Sequence, residues 1–205
     1  MMTNLNLNLK NIVFATRNAG KIREVRKFFA NSFYNILSLD DVGIDINVIE
    51  DGATFEENAA KKAREICDAC GAAMVLADDS GLMIDALGGA PGVDSANFLG
   101  TDTPYSVRNG KILEMLADVA GEARAARFVC VIAIARPGCD VILERAELHG
   151  QIAQEIAGDG GFGYDPIFFL PQYGVTMAQM VLEQKNEVSH RGQALRLVRD
   201  RLEKL

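Results

Sequence analysis

Short apolar runs alternate along this chain with stretches of helical period. Ile12 to Ala15 is a four-residue apolar run, too short for a helix and read as a first strand. Thr16-Arg17-Asn18-Ala19-Gly20 follows as a turn. From Lys21 the pattern is helical, with Ile22, Val25 and Phe28-Phe29 on one face. Ile36 to Leu39 predicts a second strand, and Asp40 to Glu50 is polar, with apolar alternation only at Ile44, Ile46 and Val48. Thr54-Phe55-Glu56-Glu57 has the S/T-x-x-E form of a capping box and heads an alanine-rich helix that runs to about Cys70, where Gly71 stops it. Met74 to Ala77 predicts a strand ending at Asp78-Asp79, and Leu82 to Ala86 predicts another.

Thr103-Pro104 reads as a cap with proline at the first helical position; Val107, Leu113 and Leu116 supply the buried face. Arg127 to Ala135 is apolar and β-branched enough for a central strand. Val141 to Leu148 alternates like a half-exposed one, with Pro137-Gly138 as the hairpin turn between them. A glycine-rich loop, Gly158 to Gly163, precedes a short strand, Ile167 to Leu170. A short helix near Met177 to Leu182 and a longer one after Ser189, carrying Leu195, Val198 and Leu202, end the chain. No repeat, linker or sharp change of composition interrupts this order, which predicts one compact α/β unit.

Composition narrows the chemistry. At 205 residues and 49% hydrophobic the chain can bury a substantial core. The formal charge of −7 argues against broad binding to nucleic acid or an acidic membrane. No apolar run approaches the roughly 20 residues that span a bilayer. The start, Met1 to Lys10, has neither a basic front nor an apolar signal core, so a cytoplasmic location is expected. Cys67 and Cys70 have a C-x-x-C spacing inside a helical pattern and lack a matching second pair, so they read with Cys130 and Cys139 as reduced thiols rather than a zinc site. With two histidines in all, a metal would be a hard cation held by carboxylates, and magnesium leads.

Five segments can carry chemistry. Thr16 to Lys21 joins a strand to a helix, where backbone N–H groups favour anions and Lys21 adds a charge, although the glycine spacing is not that of a Walker loop. Asp78-Asp79-Ser80-Gly81 reads either as a β-turn or as a corner whose paired carboxylates hold a metal and activate water. Glu50-Asp51, ahead of the capped helix, offers a more distant metal ligand. Phe162, between glycines and followed by Tyr164-Asp165-Pro166, reads as a flat exposed ring for stacking on a base or as a core plug. Lys185, His190 and Arg191 gather cations near the start of the last helix, where they are disfavoured unless they face an anion or carbonyl oxygens.

Together these segments resemble the inosine triphosphate pyrophosphatase (Ham1-like) family. The matches are Thr16-x-Asn18-x-x-Lys21, Phe55-x-Glu57-Asn58-Ala59 with Lys62-Ala63, Asp78 to Gly92, Phe162-Gly163-Tyr164-Asp165-Pro166 and Ser189-His190-Arg191-Gly192, in the family's order. The resemblance implies a single elongated two-lobed α/β domain over residues 1–205, with a mixed central sheet and a substrate cleft between the lobes. It implies magnesium-dependent hydrolysis of ITP, dITP and XTP to the monophosphate and pyrophosphate, usually by a homodimer. Carried over by position, Asp79 and Lys21 are catalytic, and Asp79 and Glu50 bind metal. Thr16, Arg17, Asn18, Ala19, Gly20, Lys21 and Ser80 contact substrate, as do Phe162, Gly163, Tyr164, Asp165, Lys185, His190 and Arg191. Asp78 serves as structural or electrostatic support, and the glycine-rich Gly88 to Gly92 as a structural turn. Donors such as Arg191 or backbone N–H groups would accept a 6-keto purine and face the adenine amino group donor to donor. Asp94, Asn97-Phe98 and Met180-Val181-Leu182 depart from the family pattern. The runner-up activity is a general phosphatase releasing orthophosphate, and the non-enzyme alternative is a nucleotide sensor.

Overall fold

The computed structural model describes residues 10–71 and 74–205. Residues 1–9, which hold nearly all of the segment read for a leader, lie outside them. β1 (Lys10–Phe14), β2 (Tyr34–Ser38) and β3 (Met74–Ile84) are joined by α1 (Ala19–Phe29) and α2 (Phe55–Cys70). Helical crossovers let β1 pair in parallel with both β2 and β3. β4 (Ala125–Ala135), β5 (Ile142–Ile152), β6 (Phe168–Leu170) and β7 (Val175–Thr176) then add antiparallel neighbours, giving the order β2-β1-β3-β4-β5-β6-β7. α3 (Tyr105–Met115) precedes β4, and α4 (Leu182–Val188) and α5 (His190–Leu202) end the chain.

The pleat divides the core. Val75 and Ala77 of β3, with Val129, Val131 and Ala133 of β4, face α2 and its Phe55, Ala59, Ala63 and Ile66. Leu76, Cys130, Ile132 and Ile134 face the other way, onto Val25 and Phe29 of α1 and Leu195 and Val198 of α5. A third cluster fills the far end, where Leu82, Ile84, Phe128 and Phe168 meet Ile112 and Leu116, at and just beyond the end of α3. Among the described residues no helix is long and apolar enough to cross a membrane.

Three expectations change. β3 is one continuous strand rather than two, and Asp78 and Asp79 lie in its middle, opposite Ile132 and Val131 of β4. The unbroken ladder keeps the strand together, and the pleat sends the two carboxylates to opposite faces. Pro104 precedes the first helical residue of α3 instead of occupying it. The helix expected near Met177 to Leu182 is a single 3-10 turn at Met177–Gln179, and the helical residues lie later, in α4.

Candidate active site

The turn after β1 is a helix entrance, with α1 starting at Ala19, two residues earlier than the pattern suggested. Asn18 caps α1 by accepting from the Lys21 N–H at 3.1 Å, and the Asn18 N–H donates to Thr16 Oγ1 at 3.2 Å. Arg17 turns away from this entrance. Its guanidinium donates to the carbonyls of Ile44 and Ile46 at 3.2 and 3.1 Å and pairs with Asp45 at 3.0 Å, so it pins the following loop.

Asp78 is fully buried and surrounded by donors. Lys21 Nζ, Arg191 Nε at 3.0 Å, Ser80 Oγ at 2.7 Å and Cys130 Sγ at 3.2 Å all point at its carboxylate. Burial would raise its pKa, but Arg191 and Lys21 hold it well below the usual carboxylate range. The pairing continues: Arg191 Nη1 meets Glu24 at 2.6 Å, Lys185 Nζ meets Glu24 at 2.6 Å, and the same ammonium meets Asp165 at 2.7 Å. Six buried or nearly buried side chains thus alternate in sign from Lys21 to Asp165. The compensation expected of a metal at the carboxylate pair comes, for Asp78, from these cations.

Asp79 is different. Its Oδ1 accepts the Ser80 N–H at 3.0 Å, whereas its Oδ2 is buried with no hydrogen-bond partner among the described residues. Burial pushes its pKa up to about 6, opposed by Lys62 and Lys21 and helped by Glu50. One face of α2 holds the adjoining loop: Asn58 Oδ1 accepts the Gly52 N–H at 2.8 Å, Lys61 pairs with Asp51 at 2.6 Å and Lys62 with Glu50 at 2.7 Å. This spacing, i to i+3 and i+4, brings Glu50 to the cavity that Asp79 lines.

The aromatic end is built from the 160–165 loop. Phe162 N–H donates to Asp165 Oδ2 at 2.8 Å, and the Tyr164 hydroxyl donates to the Ser95 carbonyl at 2.7 Å. The Phe162 ring is less bare than its glycine neighbours suggested. It rests on Gly20, where a Cβ would come within 2.8 Å, and the Lys185 ammonium and Arg191 guanidinium lie 4.7 and 5.6 Å from its centre. His190 stacks on Phe128 at 4.6 Å. Burial, then the Arg191 charge, hold its imidazole well below the usual pKa, with Lys185 and Lys21 adding to this and Asp78 opposing it. A neutral folded histidine loses stability as the unfolded form protonates, so stability falls as pH drops below about 6.5. At pH 5 the loss from this group is about 2 kcal/mol. Urea titrations at pH 7 and pH 5 should show that component in the wild type and not in His190→Phe; an unchanged pH dependence would refute it.

Thr16, Asn18, Lys21, Glu50, Asp79, Ser80, Phe162, Gly163, Tyr164, Asp165, Lys185, His190 and Arg191 line one cavity. A model of the Ham1 family matches residues 12–201. The chain belongs to the Ham1 family. Its Ham1 relatives include a dITP/XTP pyrophosphatase of Geobacter sulfurreducens, 48% identical over 93% of this chain and 96% of the relative. A dITP/XTP pyrophosphatase of Clostridium perfringens is 43% identical over 95% and 98%. The Ham1 protein of Coxiella burnetii superposes with a TM-score of 0.86 at 36% identity, covering 96% of this chain and all of that one.

Three expected residues stand apart from this Ham1 cavity. Arg17 borders a smaller adjoining hollow with Glu50 and Lys62, and Ala19 sits on the first turn of α1 without lining the main cavity. Gly20 lies beneath Phe162 rather than open to the cavity. Gly88 and Gly89, at φ +63 and +90, sit beside Met83 and Arg145 in a separate hollow, as a structural turn should. Sequence reasoning assigned no role to Glu24, Lys62, Asn58 or Asn109. Glu24 had one signal, its position three residues after Lys21 on the same helix face.

Proposed function

We propose that this chain hydrolyses deaminated purine nucleoside triphosphates (ITP, dITP, XTP) to the monophosphate and pyrophosphate. The observation that carries the reading is the lining of the cavity. Asp79, with an unpartnered buried oxygen, and Phe162, backed by Lys185, line the same space. The names of the relatives support the substrate class. Hydrolysis at the α-phosphorus requires the triphosphate beside Asp79 and the α1 entrance, and the base against Phe162.

Asp79 and Glu50 would hold a divalent cation, and Mg2+ fits this donor set. Both are oxygen donors facing one cavity, and Asp79 Oδ2 is free to accept. Among the described residues no group of three or more His, Cys, Asp or Glu forms an ion site. Magnesium tolerates this because it usually keeps waters and substrate phosphate oxygens in its shell. When bound, it polarises phosphoryl oxygens and makes water more acidic. Asp79, ionised above about pH 6, orients water and accepts its proton. Asn18 and the first N–H groups of α1 bind phosphate oxygens, and Ser80, which lines the same cavity, is held by Asp78. The acidic charge supports an enzyme without nucleic-acid or membrane partners, the cysteines, read as reduced thiols, support a reducing, cytoplasmic location, and the family resemblance supports a homodimer and one domain over residues 1–205.

The test offers ITP, XTP, dITP and ATP with Mg2+ and identifies the released phosphate. Pyrophosphate is expected, with kcat/KM for ITP at least about 100-fold above ATP. Orthophosphate from ITP, or equal turnover of ATP, would overturn the reading.

A further inference from the structure

A pocket that selects a 6-keto purine needs hydrogen-bond donors, and its cationic side chains have few left. Arg191 engages Nε with Asp78, Nη1 with Glu24 and Nη2 with Ser80 at 3.3 Å. Lys185 engages Glu24 and Asp165. The main chain of the aromatic loop supplies another donor. Gly163, at φ +68, has its carbonyl held by Asn109 Nδ2 at 3.1 Å. Asn109 lies on α3 and is 2% exposed; the other half of its amide, Oδ1, is buried without a partner among the described residues.

In a trans peptide the carbonyl and the next N–H point in opposite directions. Anchoring the Gly163 carbonyl on α3 therefore turns the Tyr164 N–H away from α3. That N–H makes no hydrogen bond among the described residues. Gly163 and Tyr164 line the cavity, and α3 bounds it there through Tyr105, whose Cε1 would lie 3.7 Å from a Cβ at Gly163. Asn109 itself does not line that cavity, so the side of the peptide turned from it is the one left for a ligand held there.

We propose that Asn109 is a positioning residue that aims the Tyr164 N–H at a purine keto oxygen and so sets the preference for inosine and xanthosine over adenosine. A keto oxygen accepts this N–H, whereas the adenine amino group meets it donor to donor. The proposal rests on the pyrophosphatase reading above. The loop keeps its own bonds, from Phe162 N–H to Asp165 and from the Tyr164 hydroxyl to Ser95, so losing Asn109 frees one peptide rather than the whole loop.

The experiment measures steady-state hydrolysis of ITP, XTP and ATP, with saturating Mg2+, by the wild type, Asn109→Ala and Asn109→Asp. Asp keeps the shape and removes the donor. The ITP/ATP and XTP/ATP ratios of kcat/KM should each fall about tenfold in both variants, the order expected for one lost hydrogen bond. Pyrophosphate should remain the product, and kcat at saturating ITP should stay within about twofold. All substrates sample the same folded molecules, so the ratios do not depend on how much variant folds. Unchanged ratios, or a fall in only one variant, would overturn the proposal. Orthophosphate from ITP, or no preference for ITP, in the wild type would be a failure of the pyrophosphatase reading itself, seen before any variant, and would remove the proposal with it.

Discussion

Asp79→Asn is expected to lose about 10³-fold in kcat while becoming more stable than the wild type in EDTA. The two effects share one cause. Burial raises the Asp79 pKa from 3.8 to about 6, so the folded chain binds its proton more tightly than the unfolded chain does. For an acid with a raised pKa, stability is complete below the unfolded value and is lost as pH rises through the folded one. The window is therefore about pH 4 to 6, and the full loss, near 2 pKa units, is about 3 kcal/mol at neutral pH. Asparagine can still accept the Ser80 N–H and carries no charge to bury. Thermal melts at pH 4 and pH 8 should show the variant's advantage only at the higher pH. Retained activity, or a variant less stable at pH 8, would remove Asp79 from its assigned role.

Asp78→Asn should go the other way. This neighbour's carboxylate faces Lys21 and Arg191, and removing its charge leaves two enclosed cations without their shared partner. Breaking such a pair costs about 3–5 kcal/mol. For a chain of this size that is a drop in Tm on the order of 10 °C. The sign of the pH effect reverses as well. A carboxylate held well below 3.8 contributes stability above that value and loses it as pH falls further, so the wild type's acid unfolding should be blunted in Asp78→Asn. Equal melting temperatures for the variant and the wild type at pH 7 would refute this account. One residue along the strand, the same substitution changes stability with opposite sign, because the pleat gives one carboxylate donors and the other a cavity.

The sequence made the strands and helices legible wherever an apolar face had a clear period, as in α2 with its Thr54 cap and in β4. It misled at β3, where Asp78-Asp79-Ser80-Gly81 reads locally as a turn. What keeps that segment extended are the β4 ladder and partners 57 and 113 positions away, Lys21 and Arg191. No local window contains them. The cavity-lining residues were legible because their types are chemically unusual for their places, cations at a helix start and a ring between glycines. Arg17 was misplaced because its neighbours Thr16 and Asn18 belong to the cavity, and only the fold reveals the carbonyls of the 44–46 loop as its partners. Asn109 was invisible, and Glu24 signalled only by its spacing from Lys21, for the converse reason. Each looks like ordinary helix surface until α5 or the aromatic loop packs against it.

The row of alternating charges from Lys21 to Asp165 also bears on how this chain can change over generations. It holds three cations and three anions, so its sum is zero. Any single substitution that alters charge leaves an odd member enclosed, with nowhere for the imbalance to go. Members can therefore be exchanged only in compensating pairs, a cation with an anion, such as Lys21 with Asp78 or Arg191 with Glu24. Segments far apart in the chain are bound to a common history by arithmetic alone.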